Sequence, residues 1–175
     1  MKIIVLLISI SVCLTSGSNE IGYYWLDYNG DKIPDNALKI DENDPNSPYV
    51  GQVYTKEYEL LPATIRPTAP FATFTAYNKE LSSDKNIKIL CSQYKENFEW
   101  VRTSAQVYKS LPNLVVGGFE VGGYQYFGRI YRNGRSVLGK LAGALALPFR
   151  GREQYVYDNI EVLTYKAPLD VRISL

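Results

Sequence analysis

Carboxylates are the side chains through which this sequence could do chemistry, and their spacing limits what that chemistry can be. Glu57 and Glu59 form an acid pair, and a glycosidase needs two carboxyl groups facing each other across roughly 5 to 10 Å. Neither this pair nor any other sits in a recognisable catalytic setting. Asp41-Glu42-Asn43-Asp44 is similar to the opening of a calcium loop, yet Pro45 falls where the fifth-position ligand belongs and no glycine follows it. No calcium is expected there. Gly117 to Gly123 (GGFEVGG) surrounds Glu120 with glycines but departs from the dinucleotide fingerprint and lacks a strand-turn-helix setting. The 175 residues contain no histidine, which removes triads, histidine metal sites and imidazole acid/base chemistry. The chain is therefore expected not to be an enzyme, to need no cofactor and to hold no metal.

Two cysteines complete the reactive set, Cys13 and Cys91. Cys13 lies in a stretch that reads as an address: Lys2, the apolar run Ile3 to Ile10 continued by Val12 to Leu14, then Thr15-Ser16-Gly17-Ser18. That order predicts a signal peptide over residues 1–17, too short for a bilayer span, which takes about 20 apolar residues. Secretion follows, and Cys91 is left without a partner for an intrachain disulfide. Within Ile87-Lys88-Ile89-Leu90-Cys91 its thiol is expected to act as a small buried hydrophobe. Once Lys2 is gone the 19 basic residues become 18, against 18 acids. That balance predicts no nucleic-acid partner and no membrane insertion.

The elements that must position any site are strands. Tyr124-Gln125-Tyr126-Phe127-Gly128-Arg129-Ile130-Tyr131 is aromatic and β-branched and runs into Asn133-Gly134, a strong hairpin signal. Phe98-Glu99-Trp100-Val101-Arg102 alternates as a half-buried strand should, and no window shows helical apolar spacing with a cap. The fold class is all-β. Laid against itself, the chain repeats. Trp25 matches Trp100, Tyr49 to Tyr54 aligns with Tyr126 to Tyr131 at an offset of 77, and Ile87 to Leu90 meets Ile160 to Leu163 at 73. Two tandem β-sheet repeats, 18–95 and 96–175, are expected to pack with pseudo-twofold symmetry. Exchange of terminal strands between the halves is a plausible way to join them.

These residues resemble the DM-nine repeat family, over nearly all of the chain beyond the leader. The first copy carries Ile33-Pro34-Asp35-Asn36-Ala37-Leu38, Tyr49-Val50-Gly51 and Leu61-Pro62-Ala63-Thr64-Ile65. The second carries Val116-Gly117-Gly118-Phe119-Glu120, Tyr126-Phe127-Gly128-Arg129, Leu138-Gly139-Lys140-Leu141, Gly151-Arg152-Glu153 and Ile160 to Leu163. The family includes invertebrate mannose-binding lectins of microbial recognition, and a lectin-like module ahead of pore-forming regions in some fish toxins. The resemblance implies that Glu120 and Lys140 grip a sugar. Arg129 is counted with them as a carbohydrate-binding residue, either pairing with Glu120 or held in a cross-strand pair. The first copy departs from the pattern, with Asn43 at the acid position, Ala63 or Thr64 at the lysine position, and Gln52 for the arginine.

The implied pair makes chemical sense. A carboxylate accepts two hydroxyl hydrogen bonds and an ammonium donates three, each about twice as strong as a neutral bond. The expected protein is thus a secreted, metal-independent, mannose-type lectin that recognises microbial or host glycans with the second copy's site. A homodimer would supply avidity. The alternative is a non-catalytic protein-interaction module whose surface is built from the 15 tyrosines.

Overall fold

In the computed structural model, residues 22–166 are described, and the expected leader at 1–17 lies outside them. Thirteen strands make up the described chain: β1 (Tyr24–Tyr28), β2 (Tyr49–Thr55), β3 (Glu59–Ile65), β4 (Ala72–Ala76), β5 (Lys79–Ser83), β6 (Ile87–Cys91), β7 (Phe98–Thr103), β8 (Val116–Glu120), β9 (Gly123–Arg132), β10 (Arg135–Leu141), β11 (Leu145–Phe149), β12 (Arg152–Val156) and β13 (Ile160–Tyr165). Two single turns of 3-10 helix, Lys95–Asn97 and Tyr108–Ser110, are the only helical residues among those described. The protein is all-β.

Tight turns set the strand pairing. Three hairpins have two-residue loops with both central residues left-handed: Tyr77-Asn78 (φ 48° and 62°), Asn133-Gly134 (50° and 78°) and Arg150-Gly151 (49° and 80°). That backbone matches the right-handed twist of the flanking strands. The strands then pair in the order β1-β6-β2-β3-β4-β5-β12-β11-β10-β9-β13-β7, while β8 pairs with both β3 and β9. Because of β8, the strands β3, β4, β5, β12, β11, β10, β9 and β8 close into a ring of eight. A ring of that size has an interior that side chains can just fill.

The long path has an internal order. Read from either end it gives matched sequences, β1-β6-β2-β3-β4-β5 from one and β7-β13-β9-β10-β11-β12 from the other. The outer strands β1 and β7 pair with β6 and β13, each within its own half of the chain. Terminal strands are therefore not exchanged. The halves are joined instead through the β5–β12 edge, the β3–β8 pairing and a shared core. In that core Leu38, Val50 and Leu90 pack with Val115, Phe127 and Leu163, and the Trp25 ring stacks on Phe127 at 6.0 Å. Cys91 is fully buried in the first half's apolar cluster, and burial pushes its thiol pKa up.

A polar cleft between the two halves

Glu120 and Lys140 lie twenty residues apart in sequence, and the β8–β9–β10 meander brings them together. Glu120 ends β8, and Lys140 is next to last in β10. β8 can lie against β3 because Gly118 has no side chain: a Cβ there would stand 2.1 Å from the Leu60 carbonyl oxygen. Lys140 Nζ sits 3.3 and 3.2 Å from Glu120 Oε1 and Oε2, within donating distance of both. A second carboxylate closes in from β12, where Glu153 Oε1 is 3.9 Å from the same ammonium. The three side chains are 12% (Lys140), 22% (Glu120) and 2% (Glu153) exposed, so this is a largely desolvated acid–lysine–acid cluster.

Glu153 is fixed from both halves of the chain. Its Oε2 accepts the Asn78 backbone N–H at 2.7 Å and the Tyr155 hydroxyl at 2.7 Å. The bond to Glu153 holds the Tyr155 proton, and with burial and nearby charge it raises that pKa to about 12. Glu153 Oε1 is buried and has no hydrogen-bond partner among the described residues, and neither does Glu59 Oε2. Above the cluster opens a cleft of about 500 Å³. Its floor and one wall are Glu120, Val121, Lys140, Glu153 and Tyr155; the other wall is the β2–β3 turn (Lys56 to Glu59) and the β4–β5 turn (Tyr77, Asn78). More than half of the lining thus comes from residues before 95, so the cleft is a composite of both halves rather than a property of the second. Its chemistry is that of a hydrogen-bonding cradle. It has charged donors and acceptors at the base and exposed Tyr77 and Tyr155 rings at the rim, which suits a polyhydroxylated ligand.

Arg129 is not in this cleft. Its Nε lies 2.6 Å from Glu161 Oε2 on β13, its Nη1 donates to the Ile40 carbonyl, and its guanidinium stacks over Trp100 at 4.5 Å. It belongs to a cross-strand pair. Substituting Arg129→Lys should lower stability by about 2 kcal/mol through loss of the planar fork, with sugar affinity unchanged within twofold. Urea denaturation beside a binding titration checks both halves of that expectation. In the first half, Gln52 opposes Lys88 as Arg129 opposes Glu161, and Lys88 turns to Asp27 at 2.9 Å.

In hairpin register Lys140 opposes Phe127, Thr64 opposes Val50 and Ala63 opposes Gly51. Thr64 lines a second cavity of about 500 Å³ with the acids Asp44 and Glu80 and the cations Arg66 and Arg135, and no lysine lines it. The Asp41 and Asp44 carboxylates accept the backbone N–H groups of Asn43 and Asn46, so that acidic stretch caps its own turns. No cluster of three metal-ligating side chains occurs among the described residues.

Glu153, Tyr155, Glu59 and Asn78 are among the cleft residues that sequence reasoning did not assign. The signal for Glu153 was its place in Gly151-Arg152-Glu153, a motif without an allotted role. Known proteins give the context. The family model of the DM9 repeat matches residues 41–156. By structure the chain is similar to the nematode sperm cell motility protein MFP2B, seen in a crystal structure, with a TM-score of 0.60 and 18% identity over 83% of this chain and 44% of that one. At that identity the likeness shows the fold alone, and this chain spans less than half the length of MFP2B. No curated protein matches the sequence.

Proposed function

The chain belongs to the DM9 repeat family, and on that premise we propose that it is a secreted, metal-independent, mannose-type carbohydrate-binding protein whose ligand is gripped by Glu120 and Lys140. One observation carries the reading: a desolvated lysine is held 3.2 Å from a carboxylate at the base of an open, tyrosine-rimmed cleft. Vicinal sugar hydroxyls match that arrangement of three N–H donors and carboxylate acceptors. Arg129 serves the framework in this proposal, not the ligand. No catalytic step is assigned in this proposal: Glu120 is paired with Lys140, and Glu153 is tied to the Asn78 amide and the Tyr155 hydroxyl.

The same proposal reads the chain as two copies of one repeat, 18–95 and 96–175, about a pseudo-twofold axis. The matched strand order supports it, as does a reciprocal pair of contacts: Asn78 N–H donates to Glu153, and Gly151 N–H donates to Glu80 at 2.9 Å. Since Asn43 and Thr64 stand where Glu120 and Lys140 do, one mannoside site per chain is expected, and a homodimer would be needed for bivalent capture. Titration of a mannoside in EDTA should saturate near one equivalent, with a dissociation constant on the order of mM for a single sugar. A folded protein that binds no glycan would sink the lectin reading.

A second reading has its own observation. Phe119, Val121 and Tyr124 are exposed around the β8–β9 turn, with Phe119 and Tyr124 packed edge to face at 5.7 Å, and MFP2B is named for motility, not for sugar. Such a tip suits a protein partner. Free mannose displaces a glycan from a lectin but would leave a complex of this kind intact.

A further inference from the structure

The charges around the cleft do not balance. Glu57, Glu59, Glu120 and Glu153 face Lys56 and Lys140, an excess of two carboxylates. Two carboxylate oxygens there, Glu153 Oε1 and Glu59 Oε2, are buried without a hydrogen-bond partner among the described residues. A buried acceptor left unmatched is costly, and a buried carboxylate oxygen more so than a neutral one. Lys140 does not satisfy Glu153, because 3.9 Å is beyond hydrogen-bond reach and its ammonium is engaged closer by with Glu120. Glu153 cannot swing away to find a donor, since its other oxygen is tied to Asn78 and Tyr155.

We infer that the cleft prefers sugars bearing a free amino group, 2-amino-2-deoxyhexose units of the glucosamine type, over neutral and N-acetylated sugars. This rests on the carbohydrate-binding reading and refines its ligand, placing mannosides among the weaker ones. A hydroxyl brings this acidic cleft one neutral donor, whereas an ammonium brings three donors and the compensating charge that its excess carboxylates lack, roughly doubling the strength of each bond to an accessible carboxylate oxygen. The exposed faces of Tyr77 and Tyr155 at the rim add attraction for a cation. N-acetylation removes the charge, and a uronic acid would meet carboxylates head on.

The test is calorimetric titration of the full secreted chain with a glucosamine tetramer, its N-acetylated form and a mannose oligomer of equal length. The glucosamine tetramer should bind at least tenfold more tightly than either of the others at pH 6, and the ratio should collapse above about pH 8, where an amine of this kind loses its proton. E59Q should lower the ratio several-fold, with its thermal midpoint showing that it still folds; E153Q should do the same by an independent route. Equal affinity for the three sugars overturns the inference and leaves a lectin. Displacement of the glucosamine tetramer by n-butylamine at equal amine concentration also overturns it, by showing a bare charge site. Binding of none of the sugars overturns the lectin reading itself.

Discussion

Lys140→Met should abolish mannoside binding and lower stability by about 3 kcal/mol, a double effect that no other single side chain in the cleft is expected to give. The lysine is the one cation inside a cluster whose carboxylates are 22% and 2% exposed. Removing one partner of a buried ion pair strands the other charge, and the typical cost is 3 to 5 kcal/mol; the lower end applies because Glu120 still reaches water. Methionine keeps most of the length and apolar stem, so a packing void does not account for the loss. Adding Glu120→Gln to Lys140→Met should recover part of the stability and none of the binding, since the stranded charge is then removed while the ammonium is not restored. Urea unfolding of the two variants separates the outcomes. A Lys140→Met protein as stable as the parent would mean that the carboxylates are solvated. One that still binds mannosides would remove the ammonium from the grip.

How far the sequence reaches can be judged residue by residue. Strand character was legible wherever aromatic and β-branched residues clustered, as in Tyr124 to Tyr131, and the Asn133-Gly134 turn was legible because glycine accepts a left-handed backbone freely. The Tyr77-Asn78 turn was not, since it uses the same backbone without glycine. Alternation fixes which face of a strand is buried but not which strands it meets, so the double pairing of β8 that closes the ring left no local trace. Site residues divide the same way. Glu120 and Lys140 stood out through family resemblance, and their proximity needs only a local meander. Glu153 was visible as part of a motif, but its role depends on the Asn78 amide, 75 residues away across the β5–β12 edge. Arg129 was drawn toward the sugar by its motif, while its partner Glu161 appears opposite it only in the β9–β13 register.

A cleft assembled from two halves has a consequence for where mutations should hurt. Groups that never touch ligand but set the spacing of the halves should matter as much as those that do, and Gly118 is the sharpest case. A Cβ at this residue would lie 2.1 Å from the Leu60 carbonyl oxygen, 2.9 Å from its carbon and 3.0 Å from the Leu61 Cα. All three are backbone atoms of β3, so no side-chain rotation can relieve the clash. Gly118→Ala must push β8 away from β3, breaking the Leu60–Phe119 pairing that closes the ring and shifting Glu120 two residues along. Overpacking of this kind costs up to about 3 kcal/mol. Sugar affinity should fall at least tenfold, because Glu120 and the Glu59 wall separate together. Hydrogen exchange should report the same event as lost amide protection in β8 alone. Normal protection there, together with wild-type affinity, would show that the strand contact does not hold Glu120 in place. Lost protection with intact affinity would show that the second half grips its ligand without the first.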